Sequence, residues 1–178
     1  VNPGRQGWRC LTRPDAPQSS ERATHRLTLL AGRPLVLVGM MGAGKITVGR
    51  RLATRLGRAF RDSDEEIEKA AHMDIPEIFR TRGEAEFRAG ETRVISRVLK
   101  EADMVLATGG GAFVNAETRA LIMAESVSVF IKADFELLFS RHSRPSNRPL
   151  STAGNPPSHL QTLYDVRHPI YSPRGLTV

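Results

Sequence analysis

The chain has 178 residues, of which 40% are hydrophobic and 25% charged, a composition that suits one globular domain with a full core. No apolar run approaches the roughly 20 residues that cross a bilayer, so we expect no membrane partner. The net charge is +7, from 26 basic and 19 acidic residues. Residues 1–33 contribute +4 of it, because they contain six arginines and only two acidic residues, Asp15 and Glu21.

The remaining +3 is a small excess for a nucleic-acid-binding surface, so we expect no nucleic-acid partner. Residues 1–33 are rich in Arg, Pro, Ser and Gln and are predicted to be a disordered basic arm. We favour an unstructured extension or an upstream start codon over a transit peptide, or over a nucleic-acid-binding arm. The single Cys10 allows no internal disulfide, and we expect a cytoplasmic location.

From residue 34 onwards, short apolar runs alternate with helical periodicity, which predicts a three-layer α/β domain over 34–178: a parallel sheet with helices on both faces. Strands are predicted at 35–38, 58–62, 103–107, 126–133 and from 176. Helices are predicted from 45 to a C-cap at Gly57, at 64–71, at 75–99 with an interruption near Gly83, at 135–141 and at 160–171. Val48, Leu52 and Leu56 are predicted to form the apolar stripe of the first helix.

The strongest motif runs from Gly39 to Lys45 and fits the G-x-x-x-x-G-K pattern of a phosphate-binding loop. Glycines allow successive backbone N–H groups to converge on phosphate oxygens at the start of a helix, and Lys45 adds a full positive charge. The residues predicted to bind nucleotide here are Gly42, Ala43, Gly44, Lys45, Ile46 and Thr47.

Ile46 stands where this motif carries the serine or threonine that ligates Mg²⁺, and isoleucine has no atom that does so. Thr47 is next, but adjacent helical residues point about 100° apart, so it is no simple substitute. Nucleotide binding is expected to survive, whereas metal positioning is expected to weaken by roughly 10–100-fold or more. A protein that binds nucleotide without turnover is the competing hypothesis.

Further motifs follow in a fixed order along the chain. They are FRDSDEEIE (60–68), GEAEFR (83–88), LATGGGA (106–112), NRPL (147–150) and RHPIY (167–171). With the glycine loop, they resemble the shikimate kinase family from about Leu35 to the end. The resemblance implies a P-loop kinase with a nucleoside-monophosphate-kinase-like fold. It also implies transfer of the ATP γ-phosphoryl group to the shikimate 3-hydroxyl in chorismate biosynthesis. The reaction would require Mg²⁺. The partners would be the small molecules shikimate and ATP, and the protein would be a monomer.

The resemblance also assigns roles to single residues. Asp62 is expected to hold Mg²⁺ through water, and Asp64 to bind the shikimate hydroxyls and to accept a proton as a catalytic residue with Lys45. If the second strand continued, both aspartates would share one of its faces. Their structural alternative is a helix start, in which Ser63 and Glu66 form a capping box.

Arginines and glycines complete the site that the resemblance implies. Arg88 and Arg167 are expected to grip the shikimate carboxylate, because a guanidinium binds a carboxylate in a bidentate manner. Residues 143–158 resemble a mobile lid whose Arg148 reaches the transferring phosphoryl group as a catalytic residue, and Arg141 matches an adenine-stacking position. The glycines expected to let the backbone approach the substrate are Gly109, Gly110 and Gly111.

The sequence departs from the family pattern at Ile46, in the lid sequence RPLS, and at Val178, where the chain stops as a final strand begins. From the last departure we expect a C-terminal truncation and weaker purine binding. A gluconate-kinase-like enzyme that shares the loop and the lid is a further alternative, and the DSD, EFR and GGG motifs count against it.

Overall fold

The computed structural model describes residues 32–142, 156–171 and 176–178, so the predicted arm lies almost entirely outside the described residues. The elements in chain order are β1 (Leu35–Val38), α1 (Lys45–Leu56), β2 (Ala59–Asp62), α2 (Ser63–Ala71), α3 (Ile75–Val98), β3 (Met104–Ala107), a 3₁₀ turn (Ala112–Val114), α4 (Ala116–Glu125), β4 (Val127–Phe130), α5 (Phe135–His142), α6 (Pro156–Tyr171) and β5 (Leu176–Thr177). None of these helices has the length and apolarity that would cross a membrane.

The strands form one parallel sheet in the order β2-β3-β1-β4-β5, which confirms the predicted α/β architecture. Its centre is apolar: β1 and β3 are buried along their whole length. Because Leu37 and Asp62 both pair with Ala107, and Val38 pairs with Phe130, the carboxyl ends of the strands are level. The segments that follow β1, β2 and β3 therefore leave from the same edge of the sheet, where ligands of open α/β sheets bind.

The packing of α1 differs from the predicted apolar stripe. Val48 is 39% exposed, and the buried residues of the helix are Lys45, Gly49 and Ala53. A Cβ at Gly49 would lie 2.6 Å from the Phe60 ring, so the helix approaches β2 through its small residues. The prediction for Val48 was wrong because periodicity ranks side chains by apolarity, whereas close helix–sheet packing selects them by size.

The boundaries of the other predicted helices agree with the structure to within a few residues, whereas α4 (Ala116–Glu125) was not predicted. Gly57 caps α1 in the left-handed conformation, as predicted, and Gly83 is non-helical within α3 and divides it into 75–82 and 84–98. Helix α6 begins at Pro156, four residues before its predicted start at Leu160. Residues 143–155, most of the predicted lid, lie outside the described residues.

Candidate active site

The loop between β1 and α1 has the backbone that a phosphate cradle requires. Gly39 and Gly44 adopt φ values of 142° and 99°, and a Cβ at Gly39 would lie 2.7 Å from the Ile131 carbonyl oxygen. Lys45 is 7% exposed, and its Nζ donates to the carbonyl oxygens of Gly39 and Met40 at 2.9 and 2.8 Å. The ammonium group is thus held over the loop, and a bound phosphate would take over part of its hydrogen bonding.

Arg141 of α5 contacts the same loop. Its Nη1 donates to the Gly42 carbonyl oxygen at 2.6 Å and lies 3.7 Å from the position of a Cβ on Gly44. Helix α5 therefore places a guanidinium where the predicted nucleotide would lie. Ile46 is 38% exposed at the first turn of α1, and it presents hydrocarbon where the motif carries a hydroxyl.

The sequence suggested that Asp62 and Asp64 would share one face of β2 if the strand continued that far. The strand does not continue that far. The strand ends at Asp62, which is the N-cap of α2, and Asp64 lies inside the helix. Asp62 accepts the backbone N–H of Asp64 at 3.0 Å, so the predicted capping box of Ser63 with Glu66 was also wrong. Burial raises the pKa of the Asp62 carboxyl, and the nearby carboxylates of Asp64 and Glu65 act in the same direction.

Ser63 is buried and joins this helix start to the turn after β3. Its Oγ accepts the Gly109 N–H at 2.9 Å and donates to Asp64 Oδ1 at 3.4 Å. The hydroxyl therefore fixes the distance between the Asp64 carboxylate and the glycine turn of residues 109–111. From the sequence, Ser63 was predicted only as a helix cap.

The glycine turn is surrounded closely by the predicted substrate-binding side chains. A Cβ at Gly109 would lie 2.7 Å from Asp64 Oδ1, and one at Gly111 would lie 2.7 Å from both terminal nitrogens of Arg88. A Cβ at Gly110 would lie 3.0 Å from the backbone nitrogen of Met41, which belongs to the phosphate loop. The turn thus has room for backbone only, and it adjoins both predicted ligand sites.

Arg88 is oriented by Glu91, a residue that was not predicted from the sequence. Arg88 Nη1 donates to Glu91 Oε2 at 2.7 Å, and the Glu91 side chain is 1% exposed. Burial raises the pKa of the Glu91 carboxyl, although the bond to Arg88 opposes that shift. The i, i+3 spacing of an arginine and a glutamate on one helix was the available signal.

Helix α6 brings Arg167 and Tyr171 to the same turn. Arg167 Nη1 lies 3.5 Å from the Gly110 carbonyl oxygen, and the Tyr171 hydroxyl donates to that oxygen. Tyr171, which ends the RHPIY motif, was also missed. Arg148, predicted to be catalytic, lies outside the described residues.

The structure therefore brings Lys45, Asp64, Arg88 and Arg167 to one edge of one sheet. Cationic groups and a nucleotide-type loop lie on one side of the glycine turn, and an arginine–carboxylate cluster suited to a small polar anion lies on the other. Such a fold and site define a P-loop phosphotransferase that acts on a small molecule.

The comparisons name the family within this class. The family model described as shikimate kinase matches residues 41–174. Shikimate kinases from Caulobacter vibrioides and Nitrobacter winogradskyi are 56% and 53% identical, over 82% and 84% of this chain and 73% and 70% of theirs. The structure of shikimate kinase from Acinetobacter baumannii in complex with shikimate is 40% identical, with a TM-score of 0.78 over 85% of this chain and 86% of that one. The chain belongs to the shikimate kinase family.

Proposed function

We propose that this chain transfers the γ-phosphoryl group of ATP to the 3-hydroxyl of shikimate. The observation that carries the proposal is the glycine turn, which contacts the phosphate loop at Met41 and the arginine–carboxylate cluster at Arg88 and Asp64. A nucleotide bound on one side would point its outer phosphate towards a hydroxylated anion bound on the other.

The phosphate loop supplies alignment and charge rather than covalent chemistry. Backbone N–H groups at the start of α1 would hold the phosphates, and Lys45 would exchange its present carbonyl partners for phosphate oxygens. Arg141, 2.6 Å from the Gly42 carbonyl oxygen, is positioned to pack against the nucleotide. Arg148 is proposed to add charge from the lid.

The cluster beyond the turn would orient the acceptor. Arg88 and Arg167 would bind the shikimate carboxylate, and Glu91 would keep the Arg88 fork in place. Asp64 would accept a hydrogen bond from the attacking hydroxyl and take its proton as the phosphoryl group is transferred. Holding the two reactants in line is the main source of rate in this type of reaction.

Mg²⁺ is the metal that the family implies, and the residues present fit it poorly. Ile46 offers no ligand, and the described residues hold no group of three or more His, Cys, Asp or Glu side chains suited to a metal ion. Asp62, buried beside Lys45, would hold the ion only through water. Bound Mg²⁺ would neutralise charge on the outer phosphates, and the steps above do not depend on its position.

A nucleotide-binding protein without turnover is the second candidate, and Ile46 is the observation that favours it. An ADP-release assay with purified full chain distinguishes the two proposals. We expect ADP release that depends on shikimate and does not appear with gluconate. ATP binding by calorimetry without ADP release would support the second candidate, and release with gluconate alone would contradict both.

A further inference from the structure

The Gly110 carbonyl oxygen receives two donors from helix α6. The Tyr171 hydroxyl donates to it, and Arg167 Nη1 approaches it at 3.5 Å, a longer distance than a strong charged hydrogen bond. The two residues are four apart and therefore lie on the same face of the helix. They reach the residue of the turn that contacts the phosphate loop.

Tyr171 is held firmly where it makes this bond. It is 3% exposed, and its ring is stacked against Phe113 at 6.0 Å and Phe130 at 5.5 Å between centroids. Burial raises the pKa of Tyr171 to about 12, so its hydroxyl stays protonated and acts as a donor at any physiological pH. Packing alone would be served equally well by phenylalanine, so the hydroxyl has a separate role.

That role follows from what the carbonyl would do without it. A part-buried carbonyl oxygen that loses its donor favours a replacement donor, and the nearest candidate is the Arg167 guanidinium. Arg167 would then be drawn onto the turn and away from a ligand. When the Tyr171 hydroxyl already donates to the Gly110 carbonyl oxygen, the Arg167 guanidinium remains available to bind a ligand.

We propose that Tyr171 is a positioning residue for substrate binding: its hydroxyl occupies the Gly110 carbonyl and thereby leaves Arg167 available for the acceptor's carboxylate. The inference rests on the proposed function and adds a residue to it. Tyr171 does not touch the reacting atoms. It acts through Gly110 and Arg167, on the acceptor side of the site.

The test is Tyr171→Phe in the full chain, measured by steady-state kinetics and by calorimetric titration of shikimate into the nucleotide-free protein. We expect the KM and the Kd for shikimate to rise about 3–10-fold, the change that corresponds to the loss of one ordinary hydrogen bond. The kcat at saturating shikimate and the KM for ATP should stay within about twofold, because the phosphate loop keeps its own contacts.

Tyr164→Phe is the matched control. It makes the same chemical change about two helical turns earlier on α6. There the Tyr164 ring packs against Phe135 and His168. No described residue forms a hydrogen bond with the Tyr164 hydroxyl, so shikimate binding should not change. The calorimetric stoichiometry reports the folded fraction of each variant.

Three results would overturn the inference. The first is unchanged shikimate affinity in Tyr171→Phe, and the second is a fall in kcat and stoichiometry with unchanged KM, which is the sign of a purely structural role. The third is an equal rise in the KM for shikimate in Tyr164→Phe. A wild-type chain that binds no shikimate would overturn the proposed function and this inference together. Shikimate binding by the wild type is therefore measured before any variant is compared.

Discussion

Ile46 changes what the phosphate loop offers without changing its backbone. Ile46 is 38% exposed at the start of α1 and is not one of the buried core residues, and a hydroxyl there would add a ligand for the metal. We expect Ile46→Ser to raise the shikimate-dependent rate several-fold, up to the order of 10–100-fold, and to lower the Mg²⁺ concentration for half-maximal rate. Both quantities are measured by ADP release over a Mg²⁺ titration.

Val48→Ser is the matched control for this change. Val48 is 39% exposed on the same helix, so its replacement makes a similar loss of hydrocarbon and of β-branching away from the phosphate side. We expect its rate and Mg²⁺ dependence to equal those of the wild type. Equal rates for Ile46→Ser and the wild type would show that the missing hydroxyl is not limiting.

The carboxyl group of Asp62 should make the stability of the fold depend on pH. Its pKa in the folded protein is raised above the ordinary 3.8, chiefly by burial, so the folded state binds this proton more tightly than the unfolded state. The group's contribution to the free energy of unfolding is therefore greatest below pH 3.8 and is lost as pH rises through the higher folded pKa.

Asp62→Asn removes this titration and keeps an oxygen that can cap α2. We expect the free energy of unfolding of the variant, relative to the wild type, to increase as pH rises from about 4 towards 7, as measured by urea unfolding at a series of pH values. A difference between the two proteins that is constant with pH would contradict the shift.

Helix α1 approaches the sheet at Gly49, and this approach can be tested against another helical glycine. A Cβ at Gly49 would lie 2.6 Å from the Phe60 ring and 3.1 Å from Leu37, whereas at Gly90 of α3 the nearest atom would be 3.9 Å away. We expect Gly49→Ala to destabilise by about 1–3 kcal/mol through overpacking. Gly90→Ala should stabilise by about 0.5–1 kcal/mol through helix propensity. Urea unfolding measures both, and equal effects would disprove the close approach.

At the scale of elements, the sequence predicted those whose signal is local. The apolar run at 35–38 and the glycine at 57 identify β1 and the end of α1 without tertiary information. The N-cap of α2 could not be chosen in the same way, because Asp62 and Ser63 are both good caps. A tertiary contact decides between them. The Ser63 hydroxyl accepts the Gly109 N–H, and the Asp62 carboxylate therefore serves as the N-cap by accepting the Asp64 N–H.

The site follows the same division. Residues in short motifs, such as Lys45 and Arg88, can be proposed from the sequence because the motif itself indicates the chemistry. Glu91 and Tyr171 act on other protein groups, a guanidinium and a carbonyl oxygen, and those pairings exist only when α3, α6 and the glycine turn have packed together. Residues that position others are therefore the ones that sequence alone leaves unidentified.

At the scale of the whole molecule, the level strand ends place the two proposed ligand sites side by side at one edge of the sheet. Shikimate and nucleotide should each stabilise the fold by mass action, by about 2.7 kcal/mol at a concentration of about 100 times Kd. For a chain of this size that corresponds to a rise in Tm of about 5–10 °C. The two shifts should be separable by a change on one side of the turn.

Arg88→Lys makes that separation while keeping a cation beside the buried Glu91. Lysine lacks the planar fork, so we expect the Tm shift caused by shikimate to be lost and the shift caused by ADP to be kept. Arg93→Lys is the control, since Arg93 is exposed on the same helix and pairs with Glu86 at 2.8 Å. It should retain both shifts in a thermal unfolding series. If Arg88→Lys lost the ADP shift as well, the two sites would not be independent parts of the sheet edge, because removing one guanidinium would have disturbed the phosphate loop beyond the glycine turn.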